Sequence, residues 1–145
     1  MQSVVRGFLA RRMYKAARTQ RTDSPWVGTP DAAISAFLES TGICEKDVVL
    51  DIGCGDGRVL LAALRERKAR VIGVEREEER TAEARRILLS AAASLPDCPA
   101  PEVYCMDGTS EAVVPLLRAA TCVFLFMLPR HLERIAPVRE DACWI

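Results

Sequence analysis

The feature that most constrains this sequence is a short apolar run that ends in an acid and then breaks into alternating glycines. Residues 48–58 read V-V-L-D-I-G-C-G-D-G-R. A short β-branched and apolar run is typical of a buried parallel strand, and glycines let the main chain turn sharply and approach a ligand closely. From Arg58 onward the composition is helical, so the glycines lie where a strand passes into a helix N-terminus. The stretch therefore predicts a strand-loop-helix unit that binds a nucleotide-like cofactor.

The glycine spacing distinguishes between classes of such cofactors. Dinucleotide-binding proteins carry G-x-G-x-x-G, with the pyrophosphate on the helix N-terminus. Here Gly53, Gly55 and Gly57 follow Asp51 in a G-x-G-x-G pattern, and Arg58 stands where the dinucleotide pattern has its third glycine. This resembles the D-x-G-x-G-x-G signature of class I S-adenosylmethionine-dependent methyltransferases, in which the loop receives the methionine end of the cofactor. The alternative for this stretch alone is an ordinary tight turn.

A second apolar run, R-V-I-G-V-E at Arg70–Glu75, also ends in an acid. An acid at the end of the strand that follows a glycine turn can accept hydrogen bonds from both hydroxyls of a ribose. We therefore predict that Glu75 binds the cofactor ribose. The alternative is an acid near a helix N-terminus, which the helix dipole favours there.

A third run, V-Y-C-M-D at Val103–Asp107, ends in an acid as well. In the methyltransferase pattern an acid at this place reaches the adenine amino group, and the preceding residue packs on the ring. The resemblance therefore places Asp107 and Met106 at the adenine. The alternative for Asp107 and Gly108 is an ordinary turn pair.

Composition limits the function classes. The 145 residues, 50% hydrophobic and 28% charged, suffice for one domain with its own core. The longest uncharged run, residues 119–129, is too short to span a bilayer. A net charge of zero argues against general binding of nucleic-acid backbones. Six cysteines without a C-x-x-C pair, and a single histidine, argue against a metal site and suit a reducing compartment.

Strand and helix patterns alternate along the chain. We predict strands at 48–52, 70–75, 103–107 and 121–128, and helices at 31–40, 58–68, 76–94 and from about Pro115. Thr29 is predicted as the N-cap of the first helix, Pro30 as its first residue, and Gly42 as its end. The pattern predicts an α/β, Rossmann-like, doubly wound, mostly parallel sheet. We expect the sheet to be truncated after its fourth strand or at the start of a fifth. The free edge of that fourth strand would favour self-association.

The N-terminal segment, residues 1–24, is predicted to be distinct from the methyltransferase domain at 25–145. Residues 1–22 hold six basic residues and no acid. A helix here would place Val5, Leu9, Met13 and Ala16 on one face. An amphipathic, arginine-rich, acid-free start resembles a mitochondrial presequence. The alternative is an ordinary N-terminal helix that packs on the domain.

Four stretches together resemble a narrower family. W-V-G-T-P, D-I-G-C-G-D-G-R, G-V-E and F-L-F-M-L-P resemble the mitochondrial protein-lysine methyltransferases whose substrates include the adenine nucleotide translocase and the ATP synthase c-subunit. The resemblance implies an enzyme that transfers a methyl group from S-adenosylmethionine to a deprotonated lysine of a protein partner. It implies a mitochondrial location, with a cytoplasmic one as the alternative. The residues expected to contact the cofactor are Thr29, Asp51, Gly53, Cys54, Gly55, Glu75, Met106 and Asp107.

The end of the fourth predicted strand bears on the substrate. Adenine and glutamine methyltransferases carry [N/D]-P-P-[Y/F] there, whereas residues 127–130 read M-L-P-R. This tetrapeptide offers no amide or acid to hold a planar amino group, which disfavours those substrates. It names no catalytic base, and the nearby His131 is more typical of a cap or a surface residue. The alternatives are a methyltransferase of small molecules or RNA, and an inactive domain that binds the cofactor and a partner.

Overall fold

The computed structural model of the chain describes residues 6–9, 28–125 and 143–144. Strands and helices alternate through the long central range. The strands are β1 (Arg6–Leu9), β2 (Val48–Ile52), β3 (Arg70–Glu75), β4 (Glu102–Cys105), β5 (Cys122–Leu125) and β6 (Cys143–Trp144). The helices are α1 (Asp31–Thr41), α2 (Arg58–Arg67), α3 (Glu78–Ala93) and α4 (Val114–Ala119), the last preceded by a 3-10 turn at Glu111–Val113. The predicted α/β, doubly wound architecture is confirmed.

The six strands form one sheet in the order β4-β3-β2-β5-β1-β6, and every described pairing is parallel. From β2 the chain moves outward through β3 to β4, and it then returns to β5 on the other side of β2. In open parallel sheets, ligands bind outside the carboxyl ends of the strands where the strand order reverses. That point lies between β2 and β5.

Side chains of the central strands alternate between two apolar layers. Val49, Val71 and Phe124 pack with residues of α1, α2 and α3, whereas Leu50 and Val123 face the layer that contains α4. Phe124 meets Phe37 of α1 edge to face, with ring centroids 4.9 Å apart. Such runs of buried β-branched and aromatic residues are what a sheet covered on both faces requires.

The start of α1 differs from its prediction by one residue. Pro30, not Thr29, is the N-cap, and no side chain caps this helix. The backbone of Pro30 is extended, and its carbonyl accepts hydrogen bonds from Ala33 N at 2.9 Å and Ile34 N at 3.1 Å. The carbonyl of Pro30 thus makes the first helical bonds, so the helix begins after the proline. Gly42 ends the helix with a φ of 60°, as predicted.

The helix considered for the N-terminal segment is wrong over Arg6–Leu9, where the structure has a strand. β1 lies parallel to Cys122–Leu125 of β5 and also pairs with β6. Pairing on both sides satisfies backbone groups that a local helical preference would otherwise satisfy within the segment. It also occupies the strand edge on which the expected self-association rested, so that expectation has lost its structural basis. The rest of residues 1–24 lies outside the described residues.

The substrate-side tetrapeptide at 127–130 and His131 also lie outside the described residues. Within the described ranges, no helix is long and apolar enough to cross a bilayer. The same ranges contain no group of three or more His, Cys, Asp or Glu side chains placed to hold a metal ion.

Candidate functional site

The glycine loop follows β2 and is held against β3 by main-chain hydrogen bonds. Gly53 N and Cys54 N both donate to the carbonyl oxygen of Val74, at 2.8 and 3.0 Å. The φ angles of Gly53, Gly55 and Gly57 are 84°, 55° and 78°. Residues other than glycine rarely adopt this left-handed backbone conformation. The three glycines are therefore required by the path of the chain.

The first and third glycines differ in what surrounds them. A Cβ placed on Gly53 would meet no heavy atom within 4 Å, and this residue is exposed. A Cβ on Gly57 would lie 3.3 Å from the Cβ of Ala84 and 3.4 Å from Leu88 Cδ1. Gly57 thus lets the loop pack against α3, whereas Gly53 leaves an open main-chain surface that a ligand can approach.

Glu75 connects the loop to the segment before α3. Its side chain is buried, its Oε2 accepts a hydrogen bond from Gly55 N at 2.9 Å, and its Oε1 accepts one from Glu77 N at 3.0 Å. A carboxylate can accept about four hydrogen bonds, so these two leave capacity for ligand hydroxyls. Sequence reasoning missed this loop contact because Gly55 and Glu75 are far apart in sequence.

Asp51 lies in the middle of the sheet, beside Gly73 of β3 and Phe124 of β5. The residue is only 2% exposed. Burial raises the pKa of its carboxyl to about 8, and the nearby charges of Glu75 and Asp56 add to the effect. Within the described residues no hydrogen bond to the carboxylate offsets these influences. A buried acid in this setting favours a cationic group beside it.

Asp56 and Arg58 form an ion pair at the start of α2. Arg58 Nη2 lies 2.7 Å from Asp56 Oδ2, and the backbone N of Arg58 donates to Asp56 Oδ1 at 3.2 Å. Partial burial opposes the charge of Asp56, but the hydrogen bonds from Arg58 outweigh it and lower the pKa of this carboxyl. A Cβ on Gly28 would lie 2.6 Å from Arg58 Cζ. The chain before α1 thus contacts the loop through Gly28, a contact that sequence reasoning missed.

The end of β4 supplies the residues predicted at the adenine. Met106 N donates to the carbonyl oxygen of Glu75 at 3.0 Å, and the Met106 side chain is half-buried. Asp107 is exposed, and its Oδ1 accepts hydrogen bonds from the backbone N and the hydroxyl of Thr109, both at 2.8 Å. The turn role left open by the sequence is therefore present. Asp107 nevertheless follows the carboxyl end of β4, next to the strand end that carries Glu75.

Two further predicted residues are buried near the loop or before α1. Cys54 packs its thiol close to Gly73, whose Cβ would lie 2.8 Å from Cys54 Sγ. Burial, followed by the charge of Asp51, raises the pKa of this thiol far above its ordinary value. Cys54 is thus a protonated thiol that packs in the core. Thr29 is buried, next to the N-cap residue Pro30 of α1.

The structure therefore brings most of the predicted residues together at the carboxyl ends of the strands. The glycine loop, Asp51, Glu75, Met106 and Asp107 occupy or follow the carboxyl ends of β2, β3 and β4. Thr29 belongs to the segment whose Gly28 contacts the loop through Arg58. The direct cofactor contacts of these residues stay a prediction.

Comparison with known proteins defines the class. The family model described as a methyltransferase domain matches residues 49–114, which include the glycine loop and the ends of β3 and β4. The structure also resembles that of an RNA methyltransferase from Salinibacter ruber in complex with S-adenosyl-L-homocysteine. The TM-score is 0.67 and the identity 28%, over 77% of this chain and 68% of that one. The predicted class is confirmed for the part of the chain that these comparisons match, which has the fold of a class I S-adenosylmethionine-dependent methyltransferase. S-adenosylmethionine is accordingly the cofactor.

A curated relative resembles a smaller part of the chain. A protein-lysine N-methyltransferase from Saccharolobus islandicus (strain REY15A) is 38% identical over 61 residues, which are 41% of this chain. The match spans 38% of the length of that relative. Most of the length of that relative therefore has no counterpart in this match.

Proposed function

We propose that this domain transfers a methyl group from S-adenosylmethionine to a lysine amine of a protein. The observation that carries the methyl-transfer part of the proposal is the pair of buried acids, Asp51 and Glu75, on either side of the open glycine loop that follows β2. S-adenosylmethionine carries positive charge, a ribose and an adenine. For each of the three, a residue of suitable chemistry lies at the carboxyl ends of β2, β3 and β4.

The residues fit the cofactor by their chemistry. Glu75 has acceptor capacity left for the two ribose hydroxyls, and the exposed face of Gly53 admits a ligand against the main chain. Asp51 offers a carboxyl to a cationic group. Met106 and Asp107 follow the neighbouring strand, where an apolar side chain can cover the adenine ring and an acid can accept from its amino group.

When bound, the cofactor supplies an electrophilic methyl group on a sulfonium, which the substrate nitrogen attacks in line. The methyl–sulfur bond breaks as the carbon–nitrogen bond forms, and the amine loses a proton to solvent or to a base. The protein chiefly positions the two reactants and excludes water. A lysine amine has a free pKa of about 10.4 and must be neutral to attack. The rate should therefore rise with pH above neutrality until the bound amine is deprotonated.

The choice of lysine is supported by the Saccharolobus islandicus relative, which is a protein-lysine N-methyltransferase. The M-L-P-R sequence at 127–130 agrees with it by disfavouring planar amides. A second candidate is methylation of RNA, which is supported by the Salinibacter ruber structure. Because the net charge of the chain is zero, the protein as a whole has no general electrostatic attraction to an RNA backbone.

One labelling experiment separates the two candidates. The protein is incubated with methyl-labelled cofactor and a cell extract split into protein and RNA fractions, with and without prior chemical blocking of lysine amines. We expect label in protein, and we expect blocking to abolish it. Label that survives blocking, or that is confined to RNA, would reject lysine as the acceptor.

Gly53→Ala and Gly42→Ala are a matched pair of variants for this assay. Both residues have positive φ, at 84° and 60°, so both substitutions introduce similar backbone strain. Only the methyl group on Gly53 would enter the open surface of the loop. Gly53→Ala should therefore lose most labelling while Gly42→Ala keeps it. Equal activity of the two would exclude this loop as the cofactor site.

A mitochondrial location is part of the proposal, and its support is the basic, acid-free sequence of residues 1–22. A fluorescent fusion to the C-terminus of the full chain should enter mitochondria, and replacement of the arginines in that segment by glutamine should leave it in the cytoplasm. Cytoplasmic fluorescence of the unmodified fusion would exclude it.

A further inference from the structure

We propose that Arg85 of α3 closes the open edge of the sheet to strand addition by a second copy of the chain. The sheet ends at β4, and no other strand in the described part of the chain pairs with its outer side. An unpaired strand edge presents backbone N–H and C=O groups that can pair with another chain. The inference concerns association of the protein with itself, so it goes beyond the proposed function and does not depend on it.

The hydrogen-bond register shows which backbone groups of β4 face outward. Met106 N donates to the carbonyl oxygen of Glu75 at 3.0 Å, and Glu75 lies opposite Cys105. In a parallel ladder the backbone groups of alternate residues point to the same neighbouring strand. Tyr104 and Met106 therefore face β3, whereas Val103 and Cys105 direct their N–H and C=O groups away from it. Two copies of this edge can pair antiparallel, because each presents the same donors and acceptors to the other.

Arg85 already occupies one of these outward groups. Its Nη2 donates to the carbonyl oxygen of Val103 at 2.6 Å, a distance typical of a charge-assisted hydrogen bond. The position of α3 makes this contact possible, because Ala84 and Leu88 of the helix pack in the same apolar cluster as Val103. A strand that added at this edge would have to take the Val103 carbonyl from a charged donor and displace the side chain that carries it.

The sequence of α3 gives Arg85 no acid to pair with on its own helix face. Side chains three and four residues apart are neighbours on a helix. Those positions around Arg85 are Thr81, Ala82, Leu88 and Leu89, and none of them is acidic. No ion pair along the helix therefore competes with the hydrogen bond that Arg85 makes to the strand edge.

Two substitutions of Arg85 open the edge. Arg85→Ala removes the donor and the side chain, and Arg85→Met keeps an apolar stem but removes the donor. Arg85 is exposed, so neither change leaves a cavity in the core. An added strand would no longer displace a hydrogen bond from a charged group, so we expect association to strengthen roughly 10-fold. Arg86→Ala is the matched control, because it makes the same change of charge at the next, also exposed, position.

The test is sedimentation velocity of the full chain and these variants over a wide range of protein concentration, with urea denaturation to show that each is folded. Reducing conditions exclude disulfides of the exposed Cys105. Both Arg85 variants should sediment faster than the parent as the concentration rises, whereas Arg86→Ala should follow the parent. The proposal is overturned if the folded Arg85 variants sediment like the parent. It is also overturned if Arg86→Ala associates as strongly as they do, since loss of charge alone would then be the cause.

A further substitution shows whether the association involves β4. Proline is tolerated on an edge strand where the N–H that it lacks would face solvent, and the N–H of Cys105 faces away from β3. Cys105→Pro combined with Arg85→Ala removes an outward donor from the opened edge and should return the association to that of the parent. Association that persists in the folded double variant would involve another surface and would overturn the proposal. Neither result bears on cofactor binding, so the proposed function is tested separately.

Discussion

Replacing Glu75 tests the loop geometry and the proposed ribose contact together. In Glu75→Ala, Gly55 N and Glu77 N lose the carboxylate oxygens that accept from them at 2.9 and 3.0 Å. Hydrogen bonds to a charged group contribute about 1.5 to 3 kcal/mol each. The Gly55 group is buried, whereas water can reach the exposed Glu77. We therefore expect a loss of roughly 2 to 5 kcal/mol in the free energy of unfolding.

That loss is large relative to the stability of a single domain, which is about 5 to 15 kcal/mol. Glu75→Gln should be milder, because its one carbonyl oxygen can still accept from one of the two backbone groups. We expect it to cost roughly 1 to 3 kcal/mol and to leave a folded protein. In that protein, cofactor affinity should fall roughly 10- to 150-fold, since the ribose hydroxyls lose a charged acceptor.

The measurement is urea denaturation of the parent and both Glu75 variants, followed by calorimetric titration of S-adenosylhomocysteine into the folded ones. Glu79→Ala is the control, because Glu79 is an exposed acid in the first turn of α3. If Glu75→Ala unfolds at the same urea concentration as Glu79→Ala, the structural role of Glu75 is wrong. If Glu75→Gln binds the ligand as tightly as the parent, the ribose assignment is wrong.

Substitutions at other positions test further parts of the structure. Asp51→Asn should match the parent near pH 4 and exceed its stability by about 4 kcal/mol at pH 7. The reason is that burial raises the pKa of Asp51 to about 8 in the folded protein, so the parent loses stability as the pH rises above the ordinary value of 3.8. Urea titrations at both pH values check this. Gly73→Ala should lower the free energy of unfolding by about 1 to 3 kcal/mol through overpacking, since its Cβ would lie 2.8 Å from Cys54 Sγ and 2.9 Å from Leu60 Cδ1. Gly28→Ala should lower the melting temperature less, because its Cβ would meet only the flexible end of Arg58, at 2.6 Å. Thr121→Val removes the hydroxyl that accepts from Val48 N at 2.9 Å and should cost roughly 1 to 3 kcal/mol, while Thr121→Ser should restore most of it.

The sequence predicted those parts of the fold that depend on local pattern. β2 and β3 have the predicted bounds, and α1 and α2 end within one residue of them. β2, α1 and α2 each have a continuous apolar or amphipathic run with a glycine or a proline at an end, and β3 is a short apolar run that ends in an acid. The strand at Arg6–Leu9 was missed because its pattern permits a helix, and only the distant partner Cys122–Leu125 makes an extended chain favourable.

The same division applies to the site. The glycine loop and the three acids at strand ends could be identified because each lies within one short motif. The contacts that order the loop could not, since they join distant positions: Gly53 N and Cys54 N to the carbonyl of Val74, and Gly55 N to Glu75. The packing of Gly28 on Arg58 is a further case. A motif indicates which residues meet a ligand, but the hydrogen bonds that fix their positions depend on strand order.

These long-range bonds make the loop and the end of β3 one unit. The carbonyl of Val74 sets the path of the loop at Gly53 and Cys54, while the next residue, Glu75, holds Gly55 through its side chain. The same strand, β3, therefore both positions the loop and carries the proposed ribose acceptor. Asp51 lies on the other strand of this pair and makes no such bond among the described residues. Asp51 can therefore be replaced by asparagine without loss of a hydrogen bond that orders the loop, so the effects of Asp51→Asn and of the Glu75 variants can be measured separately.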